Sequence, residues 1–374
     1  MSHDTVPMNE GAASGEHIGV RFGRLLTDGI RHLGPFVAVG GLLLALAYLI
    51  SGWKISMNAA QLMEQSFAWT SADSWATLMI RSGSTALAFV VPALTVYVAY
   101  GVAGRAALVP GAVGGLLAMN LDSGFLGGLA TGLLVGASVL GLRRLALPQR
   151  TVTEPLIASL VASVVLYGLV RDWLADLQIG VNGLLTRLTE GHGALLGLVL
   201  GVFVCCDLGG PVSKATFSFA AGGLSVATPY NLSVVAAVVA AGAVPALGMS
   251  LATIVRGRVF APAERSYGKV AWLLGLAGVS EGAIPFAAAD PLRVLPAAMA
   301  GGAVTGSLAM TFTTTQKALY GGVFAAGEIG EPLLYGLALA AGIVVTAGTA
   351  ILLKSLGKES VTRPAAVGKL AVVR

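Results

Sequence analysis

Long stretches with almost no formal charge dominate this chain and decide which solvent it folds in. Apolar runs lie near residues 33–51, 76–100, 106–121, 124–142, 155–170, 193–206, 216–227, 232–254, 270–288, 292–312 and 332–353. A hydrocarbon core takes about 20 helical residues per crossing, and inside it every backbone polar group must be satisfied within the protein. Of the 374 residues, 56% are hydrophobic and 11% charged, and the mean hydropathy is +0.83. A soluble multidomain enzyme is excluded. The pattern predicts an all-α integral membrane protein, with room for about ten transmembrane helices at that length per crossing.

The 51 glycines sharpen this reading. Glycine weakens a soluble helix by about 1 kcal/mol relative to alanine, but in lipid it lets helix backbones approach closely and permits broken helices that line cavities. The glycine-rich runs 106–121, 216–227 and 270–288 therefore read equally well as re-entrant, broken or spanning. Residues 1–17 form a polar stretch without the basic start and apolar centre of a signal peptide, and are expected to be a flexible cytoplasmic tail. A basic amphipathic segment with Arg21, Arg24 and Arg31 follows and suits the membrane surface. Residues 171–190 carry apolar residues at helical spacing among charges, which predicts an interfacial amphipathic helix.

Basic residues set the expected orientation. They collect at Arg143, Arg144 and Arg150, at Arg256, Arg258, Arg265 and Lys269, and at Lys354, Lys358, Arg363, Lys369 and Arg374. All three groups and the N-terminal segment are expected on the cytoplasmic side, with an even number of crossings between them. The net charge of +5 follows from these helix ends and not from a nucleic-acid patch. Adjacent Cys205 and Cys206 sit in an apolar run and read as packing residues rather than disulfide partners or metal ligands. No phosphate-cradling loop, zinc motif or Ser/His/Asp order is present, so neither a catalytic residue nor a cofactor is expected.

Two islands of charge interrupt the apolar runs. In CCDLGGPVSKATFSF, Asp207 and Lys214 are the only formal charges between Gly191 and Val255. A charge in mid-bilayer costs from about 3 kcal/mol upward, so such residues face a cavity or pair; an external, solvated Gly-Gly-Pro loop explains them equally well. In GLAGVSEGAIPFAAADPLRVLP, Glu281 stands between Ser280 and Gly282 and is followed by Pro285. That setting predicts an unwound segment whose carboxylate faces a polar cavity and accepts hydrogen bonds from the hydroxyls of a sugar. Asp290 and Arg293, three apart, read as a structural helix-start pair. His32, just before the first span, and Asn120, in a break at 120–123, are weaker cavity candidates.

DLGGPVSKATFSF (207–219) and GVSEGAIPFAAADPLRVLPAAMAGGAVTGSLAM (278–310) resemble signature stretches of the fructose-type membrane IIC component of the bacterial phosphoenolpyruvate-dependent sugar phosphotransferase system. RHLGPFVAVGGLLLALA (31–47), VPALTVYVAYGVAGRAALVPGAVGGLLA (91–118) and GFLGGLATGLLVG (124–136) share the resemblance, which runs from about residue 20 to residue 354. It implies a homodimeric helical permease in the bacterial inner membrane, occupying residues 18–354 and followed by a cytoplasmic tail at 355–374. Each protomer would carry one sugar by alternating access. Glu281 would bind sugar hydroxyls, with Ser280 and Gly282 beside it, and Asp207 and Lys214 would shape or gate the cavity. A separate IIB protein would pass a phosphoryl group from its phosphocysteine to the sugar, and the charged product would no longer fit a site built for a neutral one.

The chain departs from the family pattern in places. No IIB phosphocysteine motif accompanies the spans, so neither Cys205 nor Cys206 is expected to be phosphorylated. Leu208 and Ser213 replace an expected methionine and asparagine, and Leu319 and Tyr320 replace the Pro-His of a Pro-His-Gly-Gly near the last span, which leaves Tyr320, like His32 and Asn120, a weaker candidate for lining the cavity. Two other readings follow from these departures: a carrier uncoupled from phosphorylation, facilitated or proton-driven, and a sugar sensor that does not transport.

Overall fold

A computed structural model describes residues 18–356 apart from 53, 56, 57, 60–66, 146 and 225. The tails expected at 1–17 and beyond 356 lie outside the described residues, as do the side chains of the basic segment before Leu33. The chain is helical: α1 (Ile18–Ser51), α2 (Ala72–Ala88), α3 (Val90–Ala103), α4 (Leu108–Asn120), α5 (Gly124–Leu142), α6 (Arg150–Val165), α7 (Arg171–Leu188), α8 (Gly193–Cys206), α9 (Pro211–Leu224), α10 (Pro229–Val255), α11 (Pro262–Leu276), α12 (Ile284–Ala289), α13 (Pro291–Thr311) and α14 (Pro332–Leu356). Two-residue antiparallel strands, β1 (Thr315–Gln316) and β2 (Ile329–Gly330), clasp the loop before α14.

Among the described residues, seven segments are long and apolar enough to cross a membrane: Leu33–Ser51, Ala72–Asn120, Gly124–Leu142, Arg150–Leu188, Pro229–Val255, Pro291–Thr311 and Pro332–Leu356. The protein is therefore a multi-pass membrane protein. The expectation of about ten crossings resolves into these seven because two of them join several helices, and because α8, α9 and α11 are short. The helix expected at 171–190 forms as α7, but it continues α6 through a single π turn at Leu166–Val170.

Proline and hydroxyl side chains punctuate the chain. Helices α9, α10, α11, α13 and α14 each open on a proline, whose missing N–H removes one of the donors a helix start leaves unpaired. At α10 the Thr228 hydroxyl also accepts the Asn231 N–H at 3.2 Å, an N-cap. This helix is buried along nearly its whole length and serves as the ruler for everything around it.

Glycine builds the packing against α10. On α8, Gly197 and Gly201 face Gly306 and Gly302 of α13, and each backbone carbonyl occupies the place where the partner's Cβ would stand. The next positions around α13, Gly301 and Thr305, meet Thr346 and Gly342 of α14 in the same way. Small residues four apart on both faces of α13 thus bring three helices to backbone contact, where dispersion replaces the hydrophobic effect that lipid cannot supply. In the N-terminal half, Gly128, Gly132 and Gly136 of α5 lie against Val91, Thr95, Val98 and Val102 of α3.

One end of the bundle gathers the Gly34 stretch of α1, the α10–α11 connection and the end of α14. Gly34 lies against the Tyr267 ring, Gly268 against Thr253, and Lys354 reaches Glu264. The opposite end holds the start of α10, where the Tyr230 hydroxyl donates to the Thr189 carbonyl just past α7.

Close approach predicts a position-dependent cost. Gly201→Ala should destabilise the protein by about 1–3 kcal/mol, the overpacking range. Gly348→Ala, where a Cβ meets nothing within 4 Å, should stay within about 0.5 kcal/mol of the parent. Unfolding midpoints in a denaturing-detergent titration check the contrast.

Candidate functional site

Two hairpins enter the bundle from opposite ends and turn back beside the middle of α10. The first is α8, the turn 207–210 and α9. It leaves from the Tyr230 end, since Gly193 lies near Met310 and Tyr230, and it returns there, since Gly223 lies against Asn231. Its turn reaches the level of Ala241, whose carbonyl accepts from the Cys205 thiol at 3.4 Å. The second is α11, the short 3-10 segment Ser280–Ala283 and α12. It starts at the Lys354 end, and its turn reaches Leu247 and Ala246, against which Gly275 and Gly282 pack.

The two turns meet. A Cβ on Gly209 would lie 2.6 Å from Oε1 of Glu281, and φ at Gly209 is +90°, so only glycine fits the turn there. The second glycine, Gly210, packs against Gly124 at the start of α5, which brings in a third turn, 120–123. Lys214 on the first turn of α9 forms an ion pair with Asp122 of that turn, both side chains about half exposed. Asn120 is exposed beside it. The 207–210 turn thus touches the 120–123 turn on one side and, on the other, the Glu281 carboxylate, which is half-buried and accepts from the Ser280 hydroxyl at 3.2 Å.

The turns themselves are held by buried polar groups. Asp207 is 3% exposed, and its carboxylate accepts from the backbone N–H groups of Val212 at 2.7 Å and Ser213 at 3.2 Å. It caps α9, and it does not pair with Lys214. Leu208, at φ +47°, is buried in the same packed cluster as Phe125, Val279 and Ala283, so the apolar side chain in the Asp-Leu-Gly-Gly string anchors the turn. In the second hairpin the Gly282 carbonyl accepts from the Tyr267 hydroxyl at 2.9 Å, and the Tyr267 ring meets Phe286 edge-on at 5.2 Å.

Tyr320 and His32 stand differently. Gly322 packs on Leu276 and Gly278 at the head of the second turn, which places the 318–322 segment beside the site, but the Tyr320 side chain is 56% exposed. His32 belongs to α1 near Gly34, and its side chain lies outside the described residues. The two cysteines are free thiols, Cys205 buried against α10 and Cys206 donating to the Phe203 carbonyl at 3.2 Å.

Sequence reasoning missed the clamp at the base of the second hairpin. Lys354, 7% exposed, sits 2.7 Å from Glu264 and 3.5 Å from Asp290, and Asp290 pairs with Arg293 at 2.8 Å. The second Glu264 oxygen caps α11 by accepting the Ala261 N–H at 2.7 Å. Lys354 therefore ties the end of α14 to both feet of the hairpin that carries Glu281. In sequence it reads as one more basic residue after the last span; Tyr267 likewise carries no motif that marks it.

The fold and site together define a class: a multi-pass helical membrane protein in which two hairpins meet at a half-buried carboxylate inside the bundle. No family model matches the chain, but curated relatives do. The fructose-specific EIIABC component of the phosphotransferase system of Bacillus subtilis is 36% identical over 343 residues, covering 89% of this chain and 52% of the relative. The fructose-specific EIIB'BC component of Vibrio cholerae is 39% identical, covering 90% of this chain and 57% of its own length. The fructose-like permease IIC component 2 of Escherichia coli is 32% identical over 343 residues and is covered to 91%. The chain spans about half the length of the first two and nearly all of the third. It belongs to the fructose-type IIC component family of the phosphotransferase system.

Removing one partner from a buried ion pair costs about 3–5 kcal/mol because the other charge is left uncompensated. Lys354→Met should lower stability by that amount. The double variant Lys354→Met, Glu264→Gln should recover most of it, since Asp290 keeps Arg293. Detergent unfolding of the three proteins checks the clamp.

Proposed function

We propose that the chain is a sugar permease that binds fructose or a fructose-like sugar at the Glu281 loop and carries it inward by alternating access, coupled to phosphorylation by a separate IIB protein. The observation that carries the reading is the meeting of Gly209 and Glu281 beside the middle of α10. A carboxylate at that depth, half-buried and bonded to one hydroxyl, keeps lone pairs for ligand hydroxyls. Family membership supplies the substrate class, and the relatives that carry B segments on the same chain as the C segment support a IIB partner. Phosphorylation of the sugar adds about −1.5 to −2 charges, which a site built around a carboxylate repels. Asn120 and the Asp122–Lys214 pair line the approach; Asp207 acts through the backbone it caps.

The orientation follows the same reading. The basic connection 256–269, the Gly34 stretch of α1 and the end of α14 share one end of the bundle, which supports placing that end and both termini in the cytoplasm. The resemblance of the motif strings supports a homodimer in the bacterial inner membrane.

Uptake into proteoliposomes containing the IIB phosphorelay should accumulate fructose phosphate, and Glu281→Gln should weaken fructose binding by about 1.5–3 kcal/mol, the value of a hydrogen bond to a charged group. That is roughly 10- to 150-fold in Kd. Unchanged binding in this variant contradicts the assignment of Glu281. Delivery of free sugar driven by a pH gradient contradicts phosphorylation coupling.

A further inference from the structure

A cavity of about 420 Å³ lies between the C-terminal half of α7, the later turns of α9 and the first turns of α10. Its polar lining comprises Asn182, Thr186, Thr189, Ser218 and Asn231, and no lining residue carries a formal charge. Thr186 and Thr189 direct their hydroxyls to α7 carbonyls. Among the described residues, the amides of Asn182 and Asn231 and the hydroxyl of Ser218 have no hydrogen-bond partner. Amides and hydroxyls with free capacity, set between the apolar Phe219 and Val234, fit a neutral ring bearing several hydroxyls: polar edges pair with the amides and C–H faces rest on the apolar side chains. An anionic ligand finds no cation among the lining residues to pair with.

Position gives this chemistry a role. Ser218 lies seven residues along α9 from Pro211, about 10 Å at 1.5 Å per residue, and the turn preceding Pro211 is the one that touches Glu281. One helix therefore carries the cavity near its end and the Glu281 contact at its start. The cavity also lies at the Tyr230 end of α10, opposite the basic connection 256–269.

We propose that this cavity is an outer-side subsite for the neutral sugar, where Asn182, Ser218 and Asn231 hold it before it passes along α9 to the Glu281 loop. The inference rests on the permease reading and its orientation, and adds a second binding station to it.

The test uses the full chain carrying Ser218→Cys in right-side-out membrane vesicles, labelled by a membrane-impermeant maleimide with and without D-fructose; the parent, whose Cys205 is buried, sets the background. Fructose at about ten times its Kd leaves about one site in ten free, so labelling should slow about tenfold. It should slow equally when Glu281→Gln is combined with Ser218→Cys. Protection that vanishes with Glu281→Gln, or is absent in both, overturns the subsite, as does a Ser218→Cys thiol that never reacts from outside. Asn231→Cys provides an independent readout of the same cavity. Fructose uptake by the parent in the same vesicles reports on the permease reading separately, so the two can fail independently.

Discussion

A turn placed beside the middle of an apolar helix has to find its hydrogen bonds inside the protein, because lipid offers none. Both hairpins obey that constraint, each with its own device. The first uses a buried carboxylate: Asp207 takes two N–H groups from the start of α9, so α9 can begin in mid-bundle without orphaned donors. The second uses a buried hydroxyl: Tyr267 donates to the Gly282 carbonyl, one residue from Glu281. With those backbone groups satisfied, the Glu281 carboxylate, bonded to the Ser280 hydroxyl, keeps lone pairs for the ligand proposed above.

Holding two turns in contact also requires rigid supports. The glycine faces of α8 and α13 fix the first hairpin against the α13–α14 pair, while Lys354 clamps both feet of the second through Glu264 and Asp290. The same α14 helix therefore reaches both hairpins, by backbone packing on α13 at one level and by ion pairs at another. In the proposed alternating-access cycle one hairpin shifts against the other, and the Gly209–Glu281 contact is where such a shift would register.

Much of this was legible from the sequence. The apolar runs located the helices, and the scarce charges located both turns, because a charge or a Gly-Pro pair inside such a run has few structural explanations. The resemblance singled out Glu281, and the structure places it where the two turns meet. What the sequence left open was pairing. Asp207 and Lys214, seven apart, invite a mutual ion pair, but Asp207 faces backbone N–H groups five and six residues on, and Lys214 reaches Asp122, 92 positions away. Lys354 looked like a solvated end-of-span cation and is buried on Glu264, 90 positions away. Those partners are set by helix approach, which glycine spacing permits but does not specify. The run 193–206 reads as one more apolar stretch in sequence, but as α8 it is only 14 residues long and leads into the turn at 207–210.

The central claim is that the Gly209 turn acts on the ligand through the Glu281 carboxylate. A double-mutant cycle of fructose affinity with Gly209→Ala and Glu281→Ala measures it most directly. The account predicts strong coupling, about 1 kcal/mol or more, with Gly209→Ala weakening binding in the parent and having little further effect once the Glu281 side chain is removed. Additive effects of the two substitutions would contradict it.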